Sequence, residues 1–417
     1  MSSLARRLGT RDAVVIGLGS MIGAGVFAAF APAAQAAGSA LLLGLALAAG
    51  VAFCNATASA QLAAQFPTSG GTYIYGREQL GEWWGFVAGW GFVIGKTGSC
   101  AAMALTFASY AVHGSLHLQR AVALLAVLAL TAVNLRGITR TAALARVLVA
   151  LSIASLLVVV VAIATSGDTE TAHLADLPFG TGGAHGIFQA AALLFFAFAG
   201  YARIATLGEE VREPELTIPR AIPIALGIVV VLYAIVAVAA LLAAGPGALA
   251  ASSAPLVTAV EAVGAAWATP IVRIGAVVAS LGSLLALVAG LGRTSLAMAR
   301  NGDLPRWLAA VDPRHQVPHH AELAVGAAVA LLVLTTDLRA VIGFSSFGVL
   351  LYYAVANASA WTQDAAHRRW PRWLNVVGGA ACIALVAALP LSDIVAGLVV
   401  LGVGVVGRAV LRRRRPR

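Results

Sequence analysis

The stretch Gly17-Leu-Gly-Ser-Met-Ile-Gly-Ala-Gly-Val-Phe27 sets four glycines at two- and four-residue spacing inside an otherwise apolar segment. Glycine weakens a helix, and opened backbone inside a membrane is tolerated only where it is buried in protein or lines a water-filled cavity. The pattern predicts a membrane helix broken near the bilayer midplane, with Gly23 and Gly25 in non-helical backbone whose freed groups face a solute. Close helix packing is the other use of small residues in membranes. A second irregular segment weighs between the two: Leu193-Leu-Phe-Phe-Ala-Phe-Ala-Gly-Tyr-Ala-Arg203 has a small-residue gap from Ala197 to Gly200. Interrupted segments at corresponding positions of two halves point to a binding site at the interface of an inverted repeat.

The chain of 417 residues is 60% hydrophobic and 11% charged, and its mean hydropathy is +0.91. A water-soluble surface cannot be built from that composition, which leaves a polytopic membrane protein. At roughly 20 apolar residues per span, twelve spans are predicted at about 12–31, 38–63, 82–108, 120–135, 142–165, 186–207, 221–244, 270–297, 321–335, 338–361, 373–390 and 392–411.

The net charge of +10 raises the question of nucleic acid. The arginines answer it by falling almost entirely on one side of this topology. Arg120, Arg273 and Arg339 alone fall on the other. Under the positive-inside rule both termini are cytoplasmic, in agreement with an even number of spans. The run from Arg412 to Arg415 reads as an orientation signal in contact with anionic lipid, not as a nucleic-acid surface. No cleavable leader is expected, so the first span stays.

Chemistry of other kinds finds little support. Cys54, Cys100 and Cys382 lie inside spans without metal-ligand spacing, so neither a disulfide framework nor a metal site is implied. His319 and His320 are adjacent and sit with His315 in a predicted loop, so no catalytic pair is placed within the membrane. No glycine-rich loop ending in Gly-Lys-Ser/Thr occurs, which excludes that route to ATP hydrolysis. Between spans 2 and 3, Pro67-Thr-Ser-Gly-Gly71 reads as a turn suited to a hinge. In Glu209–Arg220 the prolines at 214 and 219 argue against a continuous helix.

Four blocks carry a resemblance: Gly19-Ser-Met-Ile-Gly-Ala-Gly-Val-Phe27, Phe66-Pro-Thr-Ser-Gly-Gly-Thr-Tyr-Ile-Tyr75, Phe196-Ala-Phe-Ala-Gly-Tyr201 running into Glu209-Glu-Val211, and Ala299-Arg-Asn-Gly-Asp-Leu-Pro-Arg306. In this order and spacing the chain resembles the amino acid-polyamine-organocation superfamily, as a bacterial amino acid permease. The resemblance implies an all-α, leucine-transporter-like fold of about twelve transmembrane helices, with a five-plus-five inverted repeat and broken helices 1 and 6. On that frame residues 1–361 form the transport core, with helices 1–5 at about 12–165 and helices 6–10 at about 186–361. Residues 373–411 add two helices, and 412–417 form a basic cytoplasmic tail.

It also implies a function: secondary-active transport of amino acids across the plasma membrane by alternating access, with no enzymatic step, no metal and no resident cofactor. The substrate carboxylate would meet backbone at Ser20, Met21, Gly23, Ala24 and Gly25. Its ammonium would meet Phe196, Ala197, Phe198, Ala199 and Gly200, with Phe196 also a lid. The half-helix ends agree with this polarity, since an N-terminal end suits an anion. Neutral substrates are favoured because the spans hold few central carboxylates. The alternatives are a cationic amino acid or polyamine carrier or exchanger, and a sensor of the same fold.

The expected coupling partner is a proton or a sodium ion, with exchange as the alternative. Lys96 is the only lysine in the chain. It falls near the centre of span 3, where a charge is costly and usually functional. Some bacterial relatives place a lysine on helix 5, where this chain has Ser152. Ser280 and Ser283 in span 8 are candidates to frame a sodium site. Glu209 and Glu210, at the inner end of span 6, are gate candidates.

Overall fold

A computed structural model describes residues 8–68, 70–137, 142–174 and 182–413. Among the described residues the secondary structure is helical apart from one isolated bridge pairing Leu8 with Val211. In chain order the helices are α1 (Thr10–Met21), α2 (Ala24–Ala28), α3 (Phe30–Ala37), α4 (Leu41–Gln65), α5 (Thr72–Leu80), α6 (Glu82–Ala111), α7 (Leu116–Leu135), α8 (Ala142–Ser166), α9 (Gly183–Phe198), α10 (Ala202–Ala205), α11 (Pro214–Ala251), α12 (Pro255–Ala262), α13 (Thr269–Arg300), α14 (His319–Thr335), α15 (Leu338–Trp361), α16 (Arg372–Ala388) and α17 (Leu391–Arg413).

Ten stretches among the described residues are long and apolar enough to cross a membrane. The molecule is a multi-pass membrane protein. The spans expected at 321–335 and 373–390 are helical as α14 and α16, but each has 17 residues. At about 1.5 Å per residue that is roughly 26 Å, short of the roughly 30 Å hydrocarbon core. The first span also runs further than expected. Ala29 keeps helical dihedrals, so α2 continues into α3 as far as Ala37 before a 3₁₀ corner at Gly38–Ala40, where Gly38 has φ +58°.

One more expectation needs correction. Pro219 does not interrupt the chain. Pro214 opens α11, where a missing amide costs nothing, and the helix passes through Pro219 and Pro223 before a break at Gly245 with φ +71°. Of the arginines assigned to one face, Arg6, Arg7, Arg140, Arg414, Arg415 and Arg417 lie outside the described residues, as does most of the expected basic tail.

The centre of the molecule is α6, packed on α13 and α15. Small residues set the distance to α15: a Cβ on Gly95 would stand 2.9 Å from the Ser345 carbonyl oxygen, and one on Gly348 would stand 2.7 Å from the Gly95 Cα. Without side chains at those positions the two backbones come into contact, which is how helices gain van der Waals energy in lipid. Against this scaffold lie α1 with α8 and α11, and α9 with α3 and α4. By contrast, only 17% of α7's apolar window and 11% of α17's are buried, so both turn most of their surface outward.

Candidate functional site

Between α1 and α2 the helix is interrupted. Ile22 has φ −78° and ψ 67°, and Gly23 has φ −115° and ψ −140°. The Gly23 amide turns back to the Met21 carbonyl at 2.8 Å, while the Ile22 amide still closes on Leu18 at 2.7 Å. Beyond the interruption the helix restarts, so the first amides of α2 have no intrahelical carbonyl. Gly25 departs from expectation here, because it is helical within α2. Its role is closeness: a Cβ on Gly25 would stand 2.5 Å from the Cα of Ala197.

The gap in span 6 tightens rather than opens. Ala199–Tyr201 is a 3₁₀ turn between α9 and α10, with Ala199 at φ −64° and ψ 2°. A tighter turn frees carbonyls at the end of α9 without unwinding the chain. The two irregular segments touch. A Cβ on Gly200 would collide with the Ser20 carbonyl, and one on Gly23 would stand 2.6 Å from the Ser283 hydroxyl. Ser20, Met21, Gly23, Ala24, Gly25 and the stretch from Phe196 to Gly200 are thus brought into one neighbourhood.

Side chains from elsewhere occupy the carbonyls these irregularities release. The Tyr233 hydroxyl of α11 lies 2.7 Å from the Met21 oxygen and 3.4 Å from that of Ala197. Lys96 Nζ donates to the Ala199 carbonyl at 3.2 Å, which the Tyr353 hydroxyl also approaches at 3.4 Å. Ser283 donates to Gly19 at 3.3 Å, and Tyr110 to Phe27 at 2.7 Å. A buried carbonyl left without any donor would cost about 1–3 kcal/mol in desolvation. An incoming ammonium or cation would have to displace or share one of these donors.

The other candidates are more dispersed. Phe196 is buried, and Phe198 packs against Tyr233 of α11 with the ring centres 5.3 Å apart and the planes tilted by 46°. Ser152 turns its hydroxyl back to Leu148 of its own helix at 2.8 Å. Ser280 is fully buried with no partner for its hydroxyl, three residues from Ser283. Glu209 and Glu210 are half-buried beyond α10. There the backbone forms the isolated bridge: the Leu8 amide donates to the Glu210 carbonyl at 3.1 Å, and the Arg212 amide to Leu8 at 2.8 Å. Among the described residues no group of three histidine, cysteine or acidic side chains is placed to hold a metal ion.

Sequence reading placed none of Tyr233, Tyr110 and Tyr353 at this site. The available signal was a lone hydroxyl on an apolar helix, which says that a partner is needed but not where it lies.

A family model described as amino acid permease matches residues 8–410. An uncharacterized transporter of Mycobacterium bovis is 60% identical over 99% of this chain and 93% of its own length. The chloroplastic cationic amino acid transporter 7 of Arabidopsis thaliana is 30% identical over 85% of this chain and 65% of its own length. The branched-chain amino acid permease of Bacillus subtilis is 31% identical over 79% of this chain and 75% of its own length.

Proposed function

The chain belongs to the amino acid permease family, and from that premise we propose that it carries a neutral amino acid across the plasma membrane by proton-coupled alternating access. It belongs with transporters, not enzymes. The observation that carries the reading is the contact between the interrupted helix at Ile22–Gly23 and the 3₁₀ turn at Ala199–Tyr201. Amides opening α2 suit a carboxylate, and the carbonyls of Met21, Ala197 and Ala199 suit an ammonium. The substrate site comprises Ser20, Met21, Gly23, Ala24 and Gly25 with Phe196, Ala197, Phe198, Ala199 and Gly200.

In this reading α1–α8 and α9–α15 are the two inverted repeats of a transport core, α16 and α17 are additions, and both termini are cytoplasmic. The match to the amino acid permease model over residues 8–410 supports that layout. Rocking of the segments around Gly23 and Gly200 against α6, α13 and α15 exposes the site alternately to each side. The bridge between Leu8 and Val211 would close the inner path, with Glu209 and Glu210 at that gate. Lys96 is the proton-linked group; Ser280 and Ser283 would frame a sodium site in its stead.

A cationic substrate is the second reading, favoured by the name of the Arabidopsis relative. Purified protein in proteoliposomes, given labelled alanine, leucine and arginine with and without an imposed pH gradient, tests both. Uptake of alanine or leucine stimulated by an acidic exterior is expected. Absence of flux for every amino acid, with or without a gradient, overturns the transport reading.

A further inference from the structure

We propose that Lys96 sets the charge selectivity of this site, admitting neutral side chains and rejecting cationic ones. The inference rests on the reading of the site as an amino acid site and names the residue that decides its substrate class.

Three observations converge. The only lysine in the chain is 7% exposed on α6, the helix at the centre of the scaffold. Its Nζ is fixed 3.2 Å from the Ala199 carbonyl, inside the substrate neighbourhood rather than at its edge. No ion pair among the described residues includes it. The buried acids with a described position lie beside other residues. Asp303 pairs with Arg408, Glu322 packs on Gly292, and Asp393 packs on Gly343.

The consequence is electrostatic. A zwitterion brings one ammonium and one carboxylate, so the repulsion between its ammonium and Lys96 is offset by the attraction of its carboxylate. An arginine or lysine substrate brings a second positive group into the same neighbourhood, where none of the described ion pairs offers it a carboxylate. Charges a few ångströms apart in a medium less polarisable than water repel strongly enough to change binding on the order of tenfold or more. The repulsive element, and not a special fit to aliphatic side chains, then makes the discrimination. Methionine at this position would remove the charge and leave the Ala199 carbonyl and the Tyr353 hydroxyl free to receive a guanidinium.

The test is counterflow in proteoliposomes loaded with unlabelled leucine and no pH gradient, read as the ratio of labelled arginine to labelled leucine accumulated. Wild type should accumulate leucine and little arginine. Lys96→Met should raise the ratio about tenfold or more, and Lys96→Arg should leave it near the wild-type value. If Lys96→Met does not fold, thermal shifts of purified Lys96→Gln with arginine replace it, with protection by arginine expected that wild type lacks. An unchanged ratio in Lys96→Met, a raised ratio in Lys96→Arg, or arginine accumulation by wild type matching leucine would each overturn the proposal. Folded neutral variants that no longer recognise leucine would do so as well. Failure of the transport reading looks different, because wild type itself would then show no leucine counterflow.

Discussion

The Tyr233 hydroxyl, on α11, donates to the carbonyl of Met21, the last residue of α1, across 2.7 Å. A side chain 212 positions away thus adds a second donor to a carbonyl that the Gly23 amide also reaches. Tyr233→Phe keeps the ring against Phe198 and removes only the donor. A loss of about 0.5–1.5 kcal/mol is expected, since the Met21 carbonyl keeps the bond from the Gly23 amide. The melting temperature of the purified protein should fall by a few degrees; an unchanged value would mean that the Gly23 amide alone satisfies the Met21 carbonyl.

At Gly23 any side chain meets Ser283, whose hydroxyl would stand 2.6 Å from the new Cβ. Gly23→Val should abolish leucine counterflow while the protein still inserts and elutes as a monodisperse peak. Gly200→Ala presses on the Ser20 carbonyl instead and should do the same by prising the two irregular segments apart. Full counterflow in either variant would mean that the contact between them is not the site.

Away from the site, Arg408 of α17 is fully buried, with Nε 2.7 Å from Asp303 and its guanidinium carbon 4.3 Å from the Trp83 ring centre. Tyr73 donates to the other Asp303 oxygen at 2.8 Å. Burial pushes the Tyr73 hydroxyl up to about 12, with the Asn301 hydrogen bond opposing and Asp303 adding to the rise, so it remains a donor at physiological pH. Arg408→Met should destabilise by about 1.5–3 kcal/mol, because the buried Asp303 carboxylate loses its nearer arginine and keeps Arg77 at 3.7 Å and the Tyr73 hydroxyl. Combining it with Asp303→Asn should recover a large part of that loss. A double variant as unstable as the sum of the two singles would show that the residues do not act as a pair.

In the proposed reading Lys96 carries the link to protons. Lys96→Ala should flatten the stimulation of leucine uptake by an acidic exterior, measured as the ratio of initial rates with and without the gradient. Stimulation as large as in wild type would assign the lysine no part in coupling.

Local sequence went far with the architecture. Runs of apolar residues fix where the chain can cross lipid, because no other solvent accepts them, and the glycines from Gly17 to Gly25 mark the interrupted helix because they cost it stability. Even so, the signal is local and blunt. It put Gly25 in opened backbone, where tertiary contact with Ala197 instead asks for a small residue in a helix, and it stopped a helix at Pro219 that packing carries through. Which donor meets which released carbonyl was not legible at all. Lys96 meets Ala199, Tyr233 meets Met21, and Arg408 meets Asp303 across separations of 103, 212 and 105 residues. Hydropathy and glycine spacing act through a residue's immediate neighbours and its solvent, and so they can be read along the chain. A buried donor is satisfied by whatever acceptor the packed helices bring within about 3 Å, and only the tertiary structure decides that.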